Sequence, residues 1–210
     1  LDDNFLSELK KSKYIKNIYP TLSLEMPTTI SGEVFGHRFY TDVIVYGIEK
    51  NFLTEELNNI NDYKFPNDDN EIPVIISNKL LDVYNLSYAK TRSLPALNEK
   101  ILIDKHFDLT LGKSTFFNFG AENINNKFRC KIIALSNKVQ VFGISVPISF
   151  VKDIISKPYK NYKYESVIVE LTSPLEYPKI ETLITDKGFE VETNRNIMDK
   201  INTLFFYFNL

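Results

Sequence analysis

The sequence predicts an α+β fold, and three observations predict it. Short runs of β-branched and aromatic residues recur along the 210 residues, helical stripes lie towards both ends, and the last quarter reads as a β-α-β unit. Hydrophobic residues make up 43% of the chain and charged residues 25%, enough apolar material for one or two ordinary domains.

Phe5 to Asn17 has helical character, with Phe5, Leu6 and Leu9 on one face. Tyr19-Pro20 predicts a chain reversal, and Thr21 to Met26 alternates as a half-buried strand does. Ile30 to Gly36 contains two glycines and reads as a hairpin turn, followed by a strand over Phe39 to Ile48. Asn58 to Asn70 is a polar, acidic loop. The apolar run Ile72 to Ser77 predicts a strand whose last residue caps a helix over Asn78 to Tyr84. Ser87 to Asn98, with Pro95, is irregular. Strands follow at Phe107–Leu111, Phe128–Ser136 and Val139–Val146, and Pro147 opens a short helix through Ile155. In the last quarter, Ser166 to Leu171 is a strand and Pro178 opens a helix striped by Ile180, Leu183 and Ile184. Gly188 ends that helix, and Phe189 to Thr193 is a further strand. Two α+β halves from the chain ends, separated by a β-rich insertion, pack as a sandwich.

The chemistry-bearing residues are sparse. Lys and Arg number 25 against 27 Asp and Glu, and Lys10-Lys11-Ser12-Lys13 is a short basic run on a solvated helix face. A nucleic-acid partner is therefore not expected. One cysteine, Cys130, excludes an intrachain disulfide and a thiolate zinc cluster, and its strand context makes it a small buried hydrophobe. His37 sits in a predicted turn and His106 before a strand, with no HxxxH or HExxH spacing, so no metal site is expected. No phosphate-binding glycine loop and no GxSxG elbow occurs, so no cofactor and no catalytic residue is assigned.

Apolar surface remains. Phe116, Phe117 and Phe119 form a dense aromatic cluster with polar flanks, which suits either rings that cap the core or a patch for a partner or cargo. Ile197, Ile201, Leu204, Phe205 and Phe208 fall on one helical face. That face suits packing on the core and equally a coupling surface that receives a shift from a membrane helix. The start, Leu1-Asp2-Asp3-Asn4-Phe5, carries no signal-peptide pattern, and the apolar end reads as the approach to a trimmed membrane segment.

Several stretches together resemble a family. Ile72-Pro73-Val74-Ile75-Ile76-Ser77-Asn78-Lys79-Leu80 looks like the "PVVIS…L" segment in the extracytoplasmic domain of FtsX/MacB-like ABC-transporter permeases. Tyr84 to Ala89 with Leu94 to Leu97 resembles a "YN-x-x-[FY]A … LP-x-[IL]" pattern in a branch of them. Lys131 to Val139 with Ile144 to Phe150 resembles "VVGFSDR … ILVPxSF", although Ser136-Asn137-Lys138 replaces the usual acidic-basic pair. The resemblance implies a porter-like subdomain from 1–57 and 158–210 and a Sabre-like inserted subdomain from 58–157, as in the MacB periplasmic core. It implies a parent permease with four membrane helices in the inner membrane, this domain lying on the periplasmic side between the first and second. The implied partners are a cytoplasmic ABC ATPase, a second permease copy, and a periplasmic protein or lipoprotein cargo. The implied action is mechanotransmission, serving export, lipoprotein extraction or partner regulation. The alternative, drawn from the aromatic richness, is a stand-alone secreted module that binds a hydrophobic ligand or lipoprotein. A hydrolase with a dispersed active site is the remaining reading.

Overall fold

The structure, a computed structural model, describes residues 1–65, 71–116, 127–156 and 163–192. The chain divides into two compact units: Leu1–Leu6 with Tyr19–Ile168, and Ser7–Ile18 with Val169–Leu210. The strands are β1 (Ile15–Ser23), β2 (Thr28–Val34), β3 (His37–Asp42), β4 (Val45–Ile48), β5 (Ile72–Ser77), β6 (His106–Leu111), β7 (Lys127–Ser136), β8 (Ile144–Pro147) and β9 (Ser166–Leu171). The helices are α1 (Asp3–Lys10), α2 (Asn78–Val83), α3 (Glu99–Leu102), α4 (Ile148–Ser156) and α5 (Tyr177–Thr185). The strands follow the order β3-β2-β6-β7-β5-β8-β4-β1-β9. β5–β7 and β4–β8 are parallel, while β2–β3, β2–β6, β6–β7, β5–β8 and β1–β4 are antiparallel. The fold is α+β, as the sequence predicts.

In the first unit the core forms where strands are apolar on their inner face. β6 alternates strictly: Phe107, Leu109 and Leu111 are buried, and Asp108 and Thr110 are not. β5 lies between β7 and β8, and its near-continuous apolar run suits a strand covered on both faces. α4 follows β8 directly and lies on β4, because Gly47 offers no side chain. A Cβ there would come within 2.8 Å of the Val151 side chain and 3.1 Å of the Ile148 backbone.

Several expectations hold. Ser77 caps α2, its hydroxyl accepting from the Lys79 N–H at 3.2 Å. β9 spans the six residues assigned to it, and Gly188 takes φ +81° after α5. Cys130 is buried in β7. The departures have local causes. The first helix is Asp3–Lys10, not 5–17; the Asp2 carboxylate accepts from the Phe5 N–H at 2.9 Å at its start, and β1 begins at Ile15. Pro20 does not reverse the chain. It continues β1, whose ladder to β4 begins only at Leu22, so that ladder needs no donor from it. The turn expected over Ile30 to Gly36 shrinks to Phe35 and Gly36, at φ 51° and 78°, the left-handed pair that a two-residue hairpin needs. Gly32 instead lies within β2, where the Phe39 ring occupies the space above it. The strand expected over Phe39 to Ile48 breaks into β3 and β4, and the strand expected over Val139–Val146 starts only at Ile144, where β8 begins. Phe189–Glu192 form no strand, so the closing β-α-β unit stops at β-α among the described residues.

Tyr63 is an oddity of the core. It packs with Ile48, Leu53, Ile75, Ala134 and Val139, and its hydroxyl has no partner among the described residues. Burial pushes that phenol well above its ordinary value. An unpaired buried hydroxyl costs about 1–3 kcal/mol. Tyr63→Phe is therefore expected to raise stability by about 1 kcal/mol, seen as a melting temperature about 2–4 °C higher. A lower melting temperature would mean that the hydroxyl is bonded after all.

Candidate functional site

The hairpin β2–β3 carries two exposed aromatic residues. Phe35 at its tip is 52% exposed and Tyr40 on β3 is 57% exposed. Asp42, at the end of β3, ties a distant segment to this hairpin. Its carboxylate accepts the Ser114 hydroxyl and the Thr115 N–H, both at 2.6 Å, and the Ser114 oxygen accepts the Phe116 N–H at 3.1 Å. Desolvation works against the Asp42 anion, yet the bonds from Ser114 and Thr115 hold its pKa below the usual carboxylate value. The result is a fixed perch for Phe116, which is 80% exposed. Phe35 at the tip, Tyr40 along β3 and Phe116 beside Asp42 are three separate exposed rings on or next to this hairpin.

The polar face of the same sheet carries a set of ion pairs and a histidine–carboxylate contact. Lys127 meets Asp108 at 2.8 Å, Lys131 meets Asp104 at 2.9 Å, and Glu71 receives both Arg129 at 3.0 Å and His106 at 3.2 Å. The exposed Lys127–Asp108 and Lys131–Asp104 pairs contribute about 0–1 kcal/mol each and serve mainly to keep the face solvated. Among the described residues, no group of three or more His, Cys, Asp or Glu side chains would hold a metal ion.

Further exposed side chains are held by the segment after α2. The helix continues as a π-helical turn over Tyr84–Ala89, the chain reverses at Ser93 with φ 54°, and the Leu94 N–H returns to the Ala89 carbonyl at 2.9 Å. Asn85 then locks the returning chain twice. Its amide donates to the Leu97 carbonyl at 2.8 Å, and its carbonyl accepts the Leu97 N–H at 2.8 Å. The Tyr84 hydroxyl reaches the Pro95 carbonyl at 3.4 Å. This closed loop holds Leu86 and Tyr88 outward, 62% and 49% exposed, with Arg92 stacked on Tyr88 at 5.0 Å. It also gives the Tyr84–Ala89 and Leu94–Leu97 stretches a shared physical purpose: one residue of the first fastens the second.

Of the residues assigned from the sequence, only Phe116 lies among those described, and it is exposed. Phe117 and Phe119, and the coupling-face residues Ile197, Ile201, Leu204, Phe205 and Phe208, lie outside the described residues. Sequence reasoning missed Phe35, Tyr40, Leu86 and Tyr88. The Phe35-Gly36 turn was the available signal for the first pair; nothing local marks the second. No described helix is long and apolar enough to cross a membrane.

Residues 1–194 match the family described as "PCD-like: Probable transporter periplasmic core domain", and the chain belongs to that family. The family agrees with the resemblance read from the sequence; it is a transporter domain and not a catalytic one. The chain is similar to the extracellular domain of the noncanonic ABC-type transporter YknZ from Gram-positive bacteria. The identity is 14% and the TM-score 0.46, over 90% of this chain and 86% of that one. It is also similar to the periplasmic region of MacB from Actinobacillus actinomycetemcomitans, at 15% identity and a TM-score of 0.46, over 96% of this chain and 83% of that one. No curated protein matches it.

Proposed function

We propose that this chain is the extracytoplasmic domain of an ABC-transporter permease anchored in the inner membrane, and that it acts as a lever and docking surface. The observation that carries this reading is the periplasmic-core family match over residues 1–194. A cytoplasmic ATPase hydrolyses ATP on the far side of the membrane, and the parent's membrane helices pass the resulting shift to this domain. The face of Ile197, Ile201, Leu204, Phe205 and Phe208 receives the shift, and the exposed ring of Phe116 meets a periplasmic protein or lipoprotein cargo. In this reading, 1–57 and 158–210 form the porter-like part, and 58–157 the Sabre-like insertion.

The test uses the parent transporter in proteoliposomes, carrying Ile201→Asp or Phe205→Asp. Transport is expected to fall by about tenfold or more while ATP hydrolysis stays within about twofold, because coupling free energies of 1–3 kcal/mol are at stake. A circular-dichroism spectrum and melting curve of the same variants check that the domain remains folded. Full transport in a folded variant would sink the lever.

A further inference from the structure

We propose that the outer edge of β3 pairs antiparallel with the same edge of a second copy of this chain, in a register centred on Tyr40. β3 stands first in the sheet order, and among the described residues no strand pairs with its outer side. The hairpin fixes which of its backbone groups are left over. With a two-residue turn, Val34 and His37 form the first hydrogen-bonded pair, so Gly32–Phe39 and Ile30–Thr41 are hydrogen-bonded as well. The N–H and C=O groups of Arg38, Tyr40 and Asp42 therefore point away from β2. The side chains of those same residues share one face.

The pattern of these residues selects the occupant. In an antiparallel pair centred on Tyr40, Tyr40 faces Tyr40 of the second copy, Arg38 faces its Asp42, and Asp42 faces its Arg38. All three outward residues then exchange backbone bonds, about six in total. Opposite charges meet twice and an aromatic pair forms at the axis, each contact worth about 0.2–1 kcal/mol across a sheet. A parallel arrangement sets Arg38 against Arg38, and a slip by two residues loses both charge pairs. Both charges keep capacity for a further partner. Arg38 has a 90% exposed side chain and its intrachain partner Glu33 lies 3.8 Å away, at the limit of an ion pair. Asp42 stays anionic, and its bonds from the Ser114 hydroxyl and from the Thr115 N–H and side chain leave a carboxylate acceptor site over. β3 carries neither a lysine nor a proline to blunt its edge; its edge charges, Arg38 and Asp42, are of opposite sign and complement a two-fold partner. The inference stands apart from the lever, since it rests on strand geometry and charge alone.

Cysteine cross-linking on the full chain tests it. Directly opposite residues of a hydrogen-bonded pair have Cα atoms about 5.5 Å apart, within disulfide range. Tyr40→Cys is expected to form a disulfide-linked dimer under mild oxidation. Phe35→Cys, at a tip of similar exposure, lies roughly 30 Å from its copy in this register and is expected to remain monomeric. Cys130 is buried and common to both variants. In sedimentation velocity up to about 1 mM, Arg38→Asp should weaken association about tenfold. Tyr40→Pro, which removes only an outward N–H, should abolish association while leaving the melting curve unchanged. Equal cross-linking of the Tyr40→Cys and Phe35→Cys chains would overturn the proposal. Undiminished association of folded Tyr40→Pro, or a preference of the Tyr40 edge for a different protein over its own copy, would do so too.

Discussion

Phe150→Ala is expected to remove about 4 kcal/mol of stability, the middle of the range for emptying a buried ring. Phe150 in α4 is fully buried, and two rings meet it edge-on: Phe65 at 5.0 Å and Phe128 at 5.1 Å. Each such pair adds about 0.5–1.5 kcal/mol beyond the area it hides. The three rings belong to segments far apart in the chain, so the site cannot collapse by a local shift. Phe65 lies in a loop, Phe128 in β7, and α4 is held in place by Val151 against Gly47. With about 2–4 °C lost per kcal/mol for a chain of this size, the melting temperature should fall by about 8–16 °C. Phe142→Ala provides the comparison: that ring is 45% exposed, and its loss should cost less than about 1 kcal/mol. A Phe150→Ala chain that melts with the unaltered one would mean that α4 is not seated on this core.

Signals that act within a few residues could be read from the sequence. The run Ile72 to Ser77 carries its own strand pattern and its own cap, and the structure reproduces both. Ser166 to Leu171 and the Gly188 terminus are legible for the same reason. The misread positions are those where a distant residue changes what a local rule means. Gly32 reads as a turn until Phe39 is seen to lie across it, and Pro20 reads as a reversal until the β1–β4 ladder is seen to start two residues later. The site suffered most. Asp42 holds Ser114 from 72 residues away, and Asn85 holds Leu97 from 12, by polar contacts that leave no periodicity in the sequence. The Tyr84–Ala89 and Leu94–Leu97 stretches were visible only as a family resemblance. Their reason is the double hydrogen bond of Asn85.

Gly143→Ala is the second large effect expected, at about 4 kcal/mol, and it separates two costs that glycine usually hides together. Gly143 has φ +121°, where an L side chain is strained by about 1–3 kcal/mol. It also precedes β8 at the point where that strand joins β4: the Ile144 N–H donates to the Ile44 carbonyl at 2.9 Å, and the parallel ladder begins with Val45 and Ile144. A Cβ at position 143 would stand 2.5 Å from that same Ile44 oxygen and 2.8 Å from the Tyr46 ring. The ring can rotate a little. The carbonyl cannot withdraw without giving up the bond that starts the ladder, so overpacking adds about 1–3 kcal/mol. Gly36→Ala removes the second cost while keeping the first, because Gly36 has φ +78° and nothing within 4 Å of a built Cβ. It should lose only about 1 kcal/mol. Chemical denaturation of the two variants measures the difference directly. Equal losses would mean that the β4–β8 junction yields, and that Ile44 and Phe142, exposed on either side of it, ride on a hinge and not on a fixed ladder end.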